Sequence, residues 1–257
     1  MKISIVTVCL NVENTIKETL YSVCSQSYPD IEHIIIDGAS TDNTLDIIKN
    51  YEHFYTKNKT IKIISEKDKG IYDAMNKGIS NVTGDYILFL NANDKLLHNQ
   101  VIEQIVNRGL KTNIDMVFGT FFWMNHQNGK YGFKKQTNLN RFDLFQASPQ
   151  HSTLFYRREL FEKYGKFDIS YKICADMEWN CRVIPTFRPS LLFVDMPITL
   201  FSMDGISSAG TPLHSKERER IELEYFSKFE LFIFNFINTS KRRKLARNKI
   251  FGKIFGF

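Results

Sequence analysis

A chain of 257 residues with 43% hydrophobic and 14% aromatic residues can bury one sizeable core, or a core plus an appendage. The net charge of +6 is localised: residues 240–257 carry Lys241, Arg242, Arg243, Lys244, Arg247, Lys249 and Lys253 and no acid, and removing those seven charges leaves the rest at about −1. The body therefore has no general attraction for polyanions, which excludes a nucleic-acid binder with a basic surface and leaves a local anionic partner for the tail.

From the N-terminus, β-rich runs alternate with helical patterns: a strand from Ile3 to Cys9, a helix near Thr15 to Ser25, a strand from Ile34 to Asp37, a helix near Asp42 to Tyr51, and a strand from Ile61 to Ser65. That alternation predicts a parallel sheet. A helix from Gly70 to Asn81, a Thr83-Gly84-Asp85 turn and the run Tyr86 to Leu90 follow, the last with the continuous apolarity of a central strand covered on both faces. Residues 1–100 thus read as a nucleotide-binding half of an α/β domain.

Beyond it, Met116 to Met124 reads as a strand, Asn128-Gly129 as a hairpin turn, Leu154 to Tyr156 as a strand, and Arg158 to Tyr164 as a helix. A helix over Ala175 to Val183 is expected to stop before Pro185, which disfavours helical geometry in the residue preceding it. Ser215, followed by a charged run, reads as the start of a helix whose apolar positions Ile221, Tyr225, Phe229, Phe232 and Phe236 recur at helical spacing. The chain divides as a main domain over 1–212, with its second half at 101–212, and a helical, basic amphipathic segment over 213–257 that is expected to associate with a membrane.

Cys9, Cys24, Cys174 and Cys181 form no C-x-x-C pair and read as buried, reduced thiols. The N-terminus lacks the apolar core and cleavage site of a signal peptide, and the longest apolar run, Phe229 to Ile237, falls short of the ~20 residues that span a bilayer. The expected location is cytoplasmic, peripheral on the inner face of the plasma membrane.

In an open parallel sheet, ligands bind beyond the carboxyl ends of the strands. Four such ends carry polar loops: Thr7 to Asn11 with Glu13, Asp37 to Asp42, Glu66 to Gly70, and Asn91-Ala92-Asn93-Asp94. Each has a plain structural alternative, since Ser40, Thr41 or Asp42 caps a helix and Gly38 or Gly70 permits a turn. Gathered on one edge, they form a self-repelling cluster unless a cation or hydrogen-bonding ligand sits among them.

The stretches IVTVCLNVENTIKETLYSVCSQSYPDIEHIIIDGASTDNT and SEKDKGIYDAMNKGISNVTGDYILFLNANDKL resemble glycosyltransferase family 2, and QHSTLFYRRELFEKYGKFDISYKICADMEW resembles that family's acceptor-side half. The resemblance implies a GT-A-type, doubly wound, mixed and mainly parallel sheet with helices on both faces. It also implies inverting transfer of a sugar from a nucleotide-diphospho-sugar donor to a saccharide or lipid-linked saccharide acceptor. By resemblance, Thr7, Asn11 and Glu13 line the nucleotide pocket, Asp37 accepts from the base, Asp68 contacts the nucleoside, and Asn76 and Lys77 lie nearer the sugar or phosphates.

The family's Asp-x-Asp-type motif, which binds Mg²⁺ or Mn²⁺, falls on Asn91-Ala92-Asn93-Asp94, where Asp94 alone is acidic. One carboxylate plus phosphate oxygens and waters suffices for Mg²⁺, with Asn91 and Asn93 bonding to the donor through their amides. Asp176 aligns with the acid of the family's Glu-Asp-type motif and is the expected base; its alternative is an acid favoured by a helix N-terminus. His151 and Glu178 are acceptor-side candidates, although two helical residues two apart diverge by about 200°. Trp123 and Trp179 receive no role.

If 245–257 is helical, Ile250, Phe251, Ile254 and Phe255 share one side and Lys249 and Lys253 another, the pattern of an interfacial helix on an anionic membrane surface. The alternative is a disordered basic terminus. Two further functions compete: a non-catalytic scaffold with a degenerate metal motif, and a nucleotidyltransferase, for which the Gly-rich phosphate loop after the first strand is missing.

Overall fold

A computed structural model describes residues 1–56, 58–110, 113–203, 205 and 210–238. The basic tail at 240–257, on which the interfacial-helix expectation falls, lies outside the described residues.

The first half alternates as expected: β1 (Ile3–Cys9), α1 (Ile16–Cys24), β2 (Ile31–Asp37), α2 (Thr44–Tyr51), β3 (Lys59–Ser65), α3 (Ile71–Asn81) and β4 (Tyr86–Phe89). Every residue of β1, β2 and β4 is buried, whereas β3 alternates between less and more exposed positions, as an edge strand does. The second half adds β5 (Lys95–Leu96), α4 (Val101–Arg108), β6 (Met116–Met124), β7 (Tyr131–Lys134), α5 (Arg141–Gln146), β8 (Leu154–Arg157), α6 (Arg158–Tyr164), α7 (Ala175–Phe187), β9 (Leu191–Ser202), α8 (Pro212–Tyr225) and α9 (Lys228–Asn238).

These strands build one sheet in the order β3-β2-β1-β4-β8-β6-β9-β5, with β7 paired to β6. β3, β2, β1 and β4 run parallel, β8 is antiparallel to both its neighbours, and β6 is parallel to β9. The sheet is therefore mixed and mainly parallel, wound on both faces. Val6, Val8, Ile34 and Ile36 pack with α3 and α7 on one face, while Ile3, Ile5 and Ile31 pack with α4, and Cys9 and Ile35 with α1 and α2, on the other.

Register fixes where the loops emerge. Cys9 lies opposite Asp37 and Asp37 opposite Ser65, so β1, β2 and β3 end at one level, and β4 leaves the sheet beside them. β8 runs the other way, so its preceding turn, His151–Thr153, lies at the same edge.

Three helix boundaries depart from expectation. α7 continues through Pro185 to Phe187. Proline removes one N–H and crowds the preceding turn, but here it stands in the last turn of a helix whose Trp179, Cys181, Val183 and Ile184 are buried, and that burial offsets the lost bond. The helix ends at Arg188, left-handed at φ 48°, whose N–H returns to the Ile184 carbonyl at 3.1 Å.

α8 begins at Pro212 rather than Ser215, because the Thr211 side chain accepts from the His214 N–H and proline occupies the first turn. The expected continuous stripe from Ile221 to Phe236 is also broken. Phe226 is extended, and Ser227 and Glu230 cap each other, the Ser227 hydroxyl accepting from the Glu230 N–H while the Glu230 carboxylate accepts from the Ser227 N–H. The break resets the helical phase: Phe226, Phe234 and Ile237 are buried, while Phe229 and Phe232 are each 68% exposed. No helix among the described residues is long and apolar enough to cross a membrane.

Candidate active site

The first two loops at the common edge are laced together by side chains. Asn11, left-handed at φ 51°, accepts from the Thr41 N–H through Oδ1 at 2.9 Å, and its own N–H donates to Ser40. Glu13 accepts from both the backbone and the side-chain amide of Asn43 at 2.9 Å. Asp37 is fully buried and receives the hydroxyls of Ser40 and Ser65 and the Ser40 N–H. Its carboxylate shapes the turn that follows β2.

Asp68 comes from the third loop and lies against Gly38, where an added Cβ would stand 2.6 Å from Asp68 Oδ2. The absence of a side chain at 38 leaves room for the Asp68 carboxylate. Lys77 reaches back to the Lys67 carbonyl and to Glu66. Two expected donor-site residues turn elsewhere. Asn76 uses both ends of its amide on the Phe167 backbone, at 2.8 and 3.0 Å. Thr7 is fully buried with its hydroxyl 2.8 Å from His33 Nε2, so its side chain faces the interior.

At the end of β4 the chain makes a tight turn from Asn91 to Asp94, the Asp94 N–H bonding the Asn91 carbonyl, with the Thr19 hydroxyl on the Ala92 and Asp94 carbonyls. Asn93 is exposed and accepts from the Thr15 hydroxyl at 2.6 Å. Asp94 points inward at 2% exposure, its Oδ1 accepting from the Ser202 N–H at the end of β9 at 3.0 Å. Burial pushes its carboxyl up to about 6, against the pull of His151 and the Ser202 bond.

His151 joins this turn to the second half of the chain. Its Nε2 is 2.9 Å from Asn91 Nδ2, and its Nδ1 is 3.6 Å from Asp176 Oδ2, ion-pair rather than hydrogen-bond distance. With Asn91 donating, Nε2 accepts and the ring proton sits on Nδ1, toward Asp176; the opposite amide orientation would offer Oδ1 to a protonated ring. Burial favours the neutral ring, but Asp176 first and Asp94 second raise its pKa above the ordinary value.

Asp176 opens α7. Its Oδ1 accepts from the Tyr72 hydroxyl and from the Met177 N–H, both at 2.9 Å. Burial, followed by the charge of Asp176, keeps the Tyr72 phenol protonated, and its hydroxyl also bonds the Ile173 carbonyl at 2.6 Å. One carboxylate oxygen is thus committed, leaving Oδ2 facing His151.

Glu178 is not part of this group. It is buried against Arg182 at 2.7 Å and accepts from the Tyr225 hydroxyl, as the angle between helical positions two apart requires. Trp179 packs in the core among Tyr156, Phe161 and Phe167.

Tyr72 and Ser202 are the site residues that sequence reasoning missed. Tyr72 sits on the buried face of a helix and reads as core, and a backbone N–H donor such as that of Ser202 leaves no trace in residue type.

Asp94 Oδ2 and Asn91 Oδ1 are buried oxygens with no hydrogen-bond partner among the described residues. Both are hard acceptors of the kind a divalent cation takes. No group of three or more His, Cys, Asp or Glu side chains that could hold a metal occurs among the described residues, so the chain by itself offers an incomplete shell that diphosphate oxygens and water would complete.

Residues 4–174 match the profile of Glycosyl transferase family 2. A PGL/p-HBAD biosynthesis glycosyltransferase of Mycobacterium tuberculosis is 31% identical over 217 residues, spanning 83% of this chain and 81% of that protein. Among solved structures, S. aureus TarS 1-349 in complex with UDP-GlcNAc matches 98% of this chain and 78% of its own, with TM-score 0.70 at 16% identity. Mannosyltransferase PcManGT from Pyrobaculum calidifontis, in complex with GDP-Man and Mn²⁺, matches 87% of this chain and 62% of its own, with TM-score 0.61 at 14% identity. The structural likenesses carry the fold, and the sequence matches carry the family: the chain belongs to Glycosyl transferase family 2 and is a glycosyltransferase built on the GT-A fold.

Proposed function

We propose that the protein is an inverting glycosyltransferase that moves a sugar from a nucleotide-diphospho-sugar to a hydroxyl of a lipid-linked saccharide during assembly of a surface polysaccharide. The observation that carries this reading is the meeting of the two halves of the chain: Asp176 and His151 from the second half stand against Asn91 and, behind it, Asp94 from the first. A donor lying along the strand ends would then present its anomeric carbon to an acceptor beside Asp176.

Inversion needs a base on the acceptor side, and Asp176 Oδ2 is the oxygen left to take the hydroxyl proton. Asn11, Glu13, Asp37 and Asp68 form the nucleoside end, with Lys77, Asn91 and Asn93 toward the phosphates. Asp94 and Asn91 would hold Mg²⁺ or Mn²⁺, whose charge, when bound, stabilises the departing nucleotide diphosphate. The donor class is supported by TarS, solved with UDP-GlcNAc, and PcManGT, solved with GDP-Man and Mn²⁺. The basic residues at 240–257 would bring the enzyme to an anionic membrane surface that carries the acceptor.

The test is a nucleotide-sugar screen with Mn²⁺ followed by Asp176→Asn. Removal of a general base lowers kcat by about 10²- to 10⁴-fold, and here donor KM is expected to stay within about twofold of wild type. Wild-type turnover in Asp176→Asn would refute the assignment of the base. Absence of transfer or donor hydrolysis with every nucleotide sugar would favour the scaffold.

A further inference from the structure

We infer that Glu217 of α8 is the positioning residue of the base, holding the segment that delivers Asp176 by gathering three consecutive backbone N–H groups in its carboxylate. The inference rests on the reading of Asp176 as base. Glu217 Oε1 accepts from the Lys172 N–H at 2.7 Å, and Oε2 from the Ile173 and Cys174 N–H groups at 2.9 and 3.0 Å. The side chain is buried at 7% exposure within a run, Lys216 to Arg220, that otherwise reads as a solvated helical face.

The geometry answers a need of α7. The first N–H groups of a helix have no partner inside it, and Cys174, the residue before α7, makes no side-chain capping bond. Glu217 takes the Cys174 N–H and the two N–H groups before it, so the approach to α7 is held by a charged acceptor brought from 43 to 45 residues further along the chain. The same segment is held from its other side, since the single proton of the Tyr72 hydroxyl is shared between the Ile173 carbonyl at 2.6 Å and Asp176 Oδ1 at 2.9 Å.

Glu217 and Tyr72 thus form the two jaws of a clamp on residues 172–174, and the clamp sets the position of the carboxylate two residues on. Displacement of a reacting group by about 1 Å costs on the order of 10²-fold in rate. Glu217 lies beyond residues 4–174 that match the family profile, on a helix that the sequence assigned to the membrane-association segment.

Glu217→Gln in the full-length protein tests this. A glutamine keeps the volume but turns an N–H toward one of the three N–H donors, so the clamp opens without emptying the site. The expected result is a 10- to 100-fold fall in kcat, donor KM unchanged, and alkylation of Cys174. That thiol is buried in the wild type and pushed up to about 12, by burial first and then by the charges of Asp176 and Glu217. Wild-type kcat, or a donor KM that rises as far as kcat falls, would overturn the inference.

Should Glu217→Gln fail to fold, Glu217→Asp keeps the charge but draws it back from the three N–H groups by one methylene, with the same split expected and the same two results counting against it. Asp176→Asn separates this inference from the reading beneath it. If Asp176→Asn turns over normally, the base assignment fails whatever Glu217 does; if Asp176→Asn is inactive and Glu217→Gln is normal, the Glu217 inference alone fails.

Discussion

Glu32 and Asp94 are both buried carboxylates, and their surroundings drive them in opposite directions. Burial opposes ionisation of Glu32, but the Lys2 ammonium, the hydroxyls of Ser4 and Thr83 and the Thr83 N–H outweigh it and hold the carboxyl at about 2. Asp94 receives one N–H, keeps an unpartnered oxygen and is pushed upward instead. Glu32 is built for stability, tying β2 to the turn before β4, whereas Asp94 opposes the fold at neutral pH, as residues retained for a ligand do. Because the folded pKa of Glu32 lies below its ordinary 4.5, its contribution is complete above pH 4.5 and is lost as pH falls toward 2. Discounted for partial screening, that contribution is about 2 kcal/mol at pH 7. Glu32→Gln should therefore be less stable than wild type by about that amount in urea titrations at pH 7, with the gap closing between pH 4.5 and pH 2. A gap independent of pH would show that shape, not charge, gives Glu32 its effect.

At the scale of elements, α3 sits directly on the sheet because Gly78 has no side chain: a Cβ there would collide with Val6 Cγ1 at the centre of β1. Both partners are in the core and neither is the far end of a flexible chain, so Gly78→Ala should cost about 1–3 kcal/mol by chemical denaturation, despite alanine's better helix propensity. A stabilised variant would mean that α3 can lift away from β1 without loss. The position of α3 on the sheet also accounts for which elements the sequence disclosed. β4 is a continuous apolar run, β1 and β2 are β-rich runs that end in turn residues, and together they gave the strand ends where the candidate site lies. The later helices were read less well, because their boundaries depend on capping pairs rather than periodicity: Thr211 with Pro212, and Ser227 with Glu230. The site divided in the same way. Asp37, Asp94 and Asp176 are acids at element ends and were legible there, whereas Tyr72 looked like core and Glu217 like a solvated charge. Only its spacing of four from the buried Ile221 marked Glu217 as facing inward.

For the molecule as a whole, the segment after residue 212 divides into two parts with different tasks. Ile221, Phe226 and Phe234 belong to the main core with α5 and α7, and Arg141 of α5 bonds both Glu230 and the Tyr225 carbonyl. α8 and α9 are therefore an integral layer over α7, and the membrane role expected for 213–257 is proposed only for the basic residues beyond them. Two truncations distinguish these parts. Deletion of 240–257 removes seven positive charges and leaves all the described residues in place, so turnover on a water-soluble acceptor should be unchanged while cosedimentation with anionic vesicles is lost. At about 1 kcal/mol per basic residue near an anionic leaflet, that binding should also weaken steeply with added salt. Deletion from residue 212 onward strips four buried apolar side chains, Ile221, Phe226, Phe234 and Ile237, and the carboxylate that holds 172–174, and it should yield aggregated protein without a cooperative melt. An active, monomeric 1–211 fragment would mean that α7 keeps its place without the layer above it. Unchanged vesicle binding by 1–239 would move the membrane contact from the tail to the body of the enzyme.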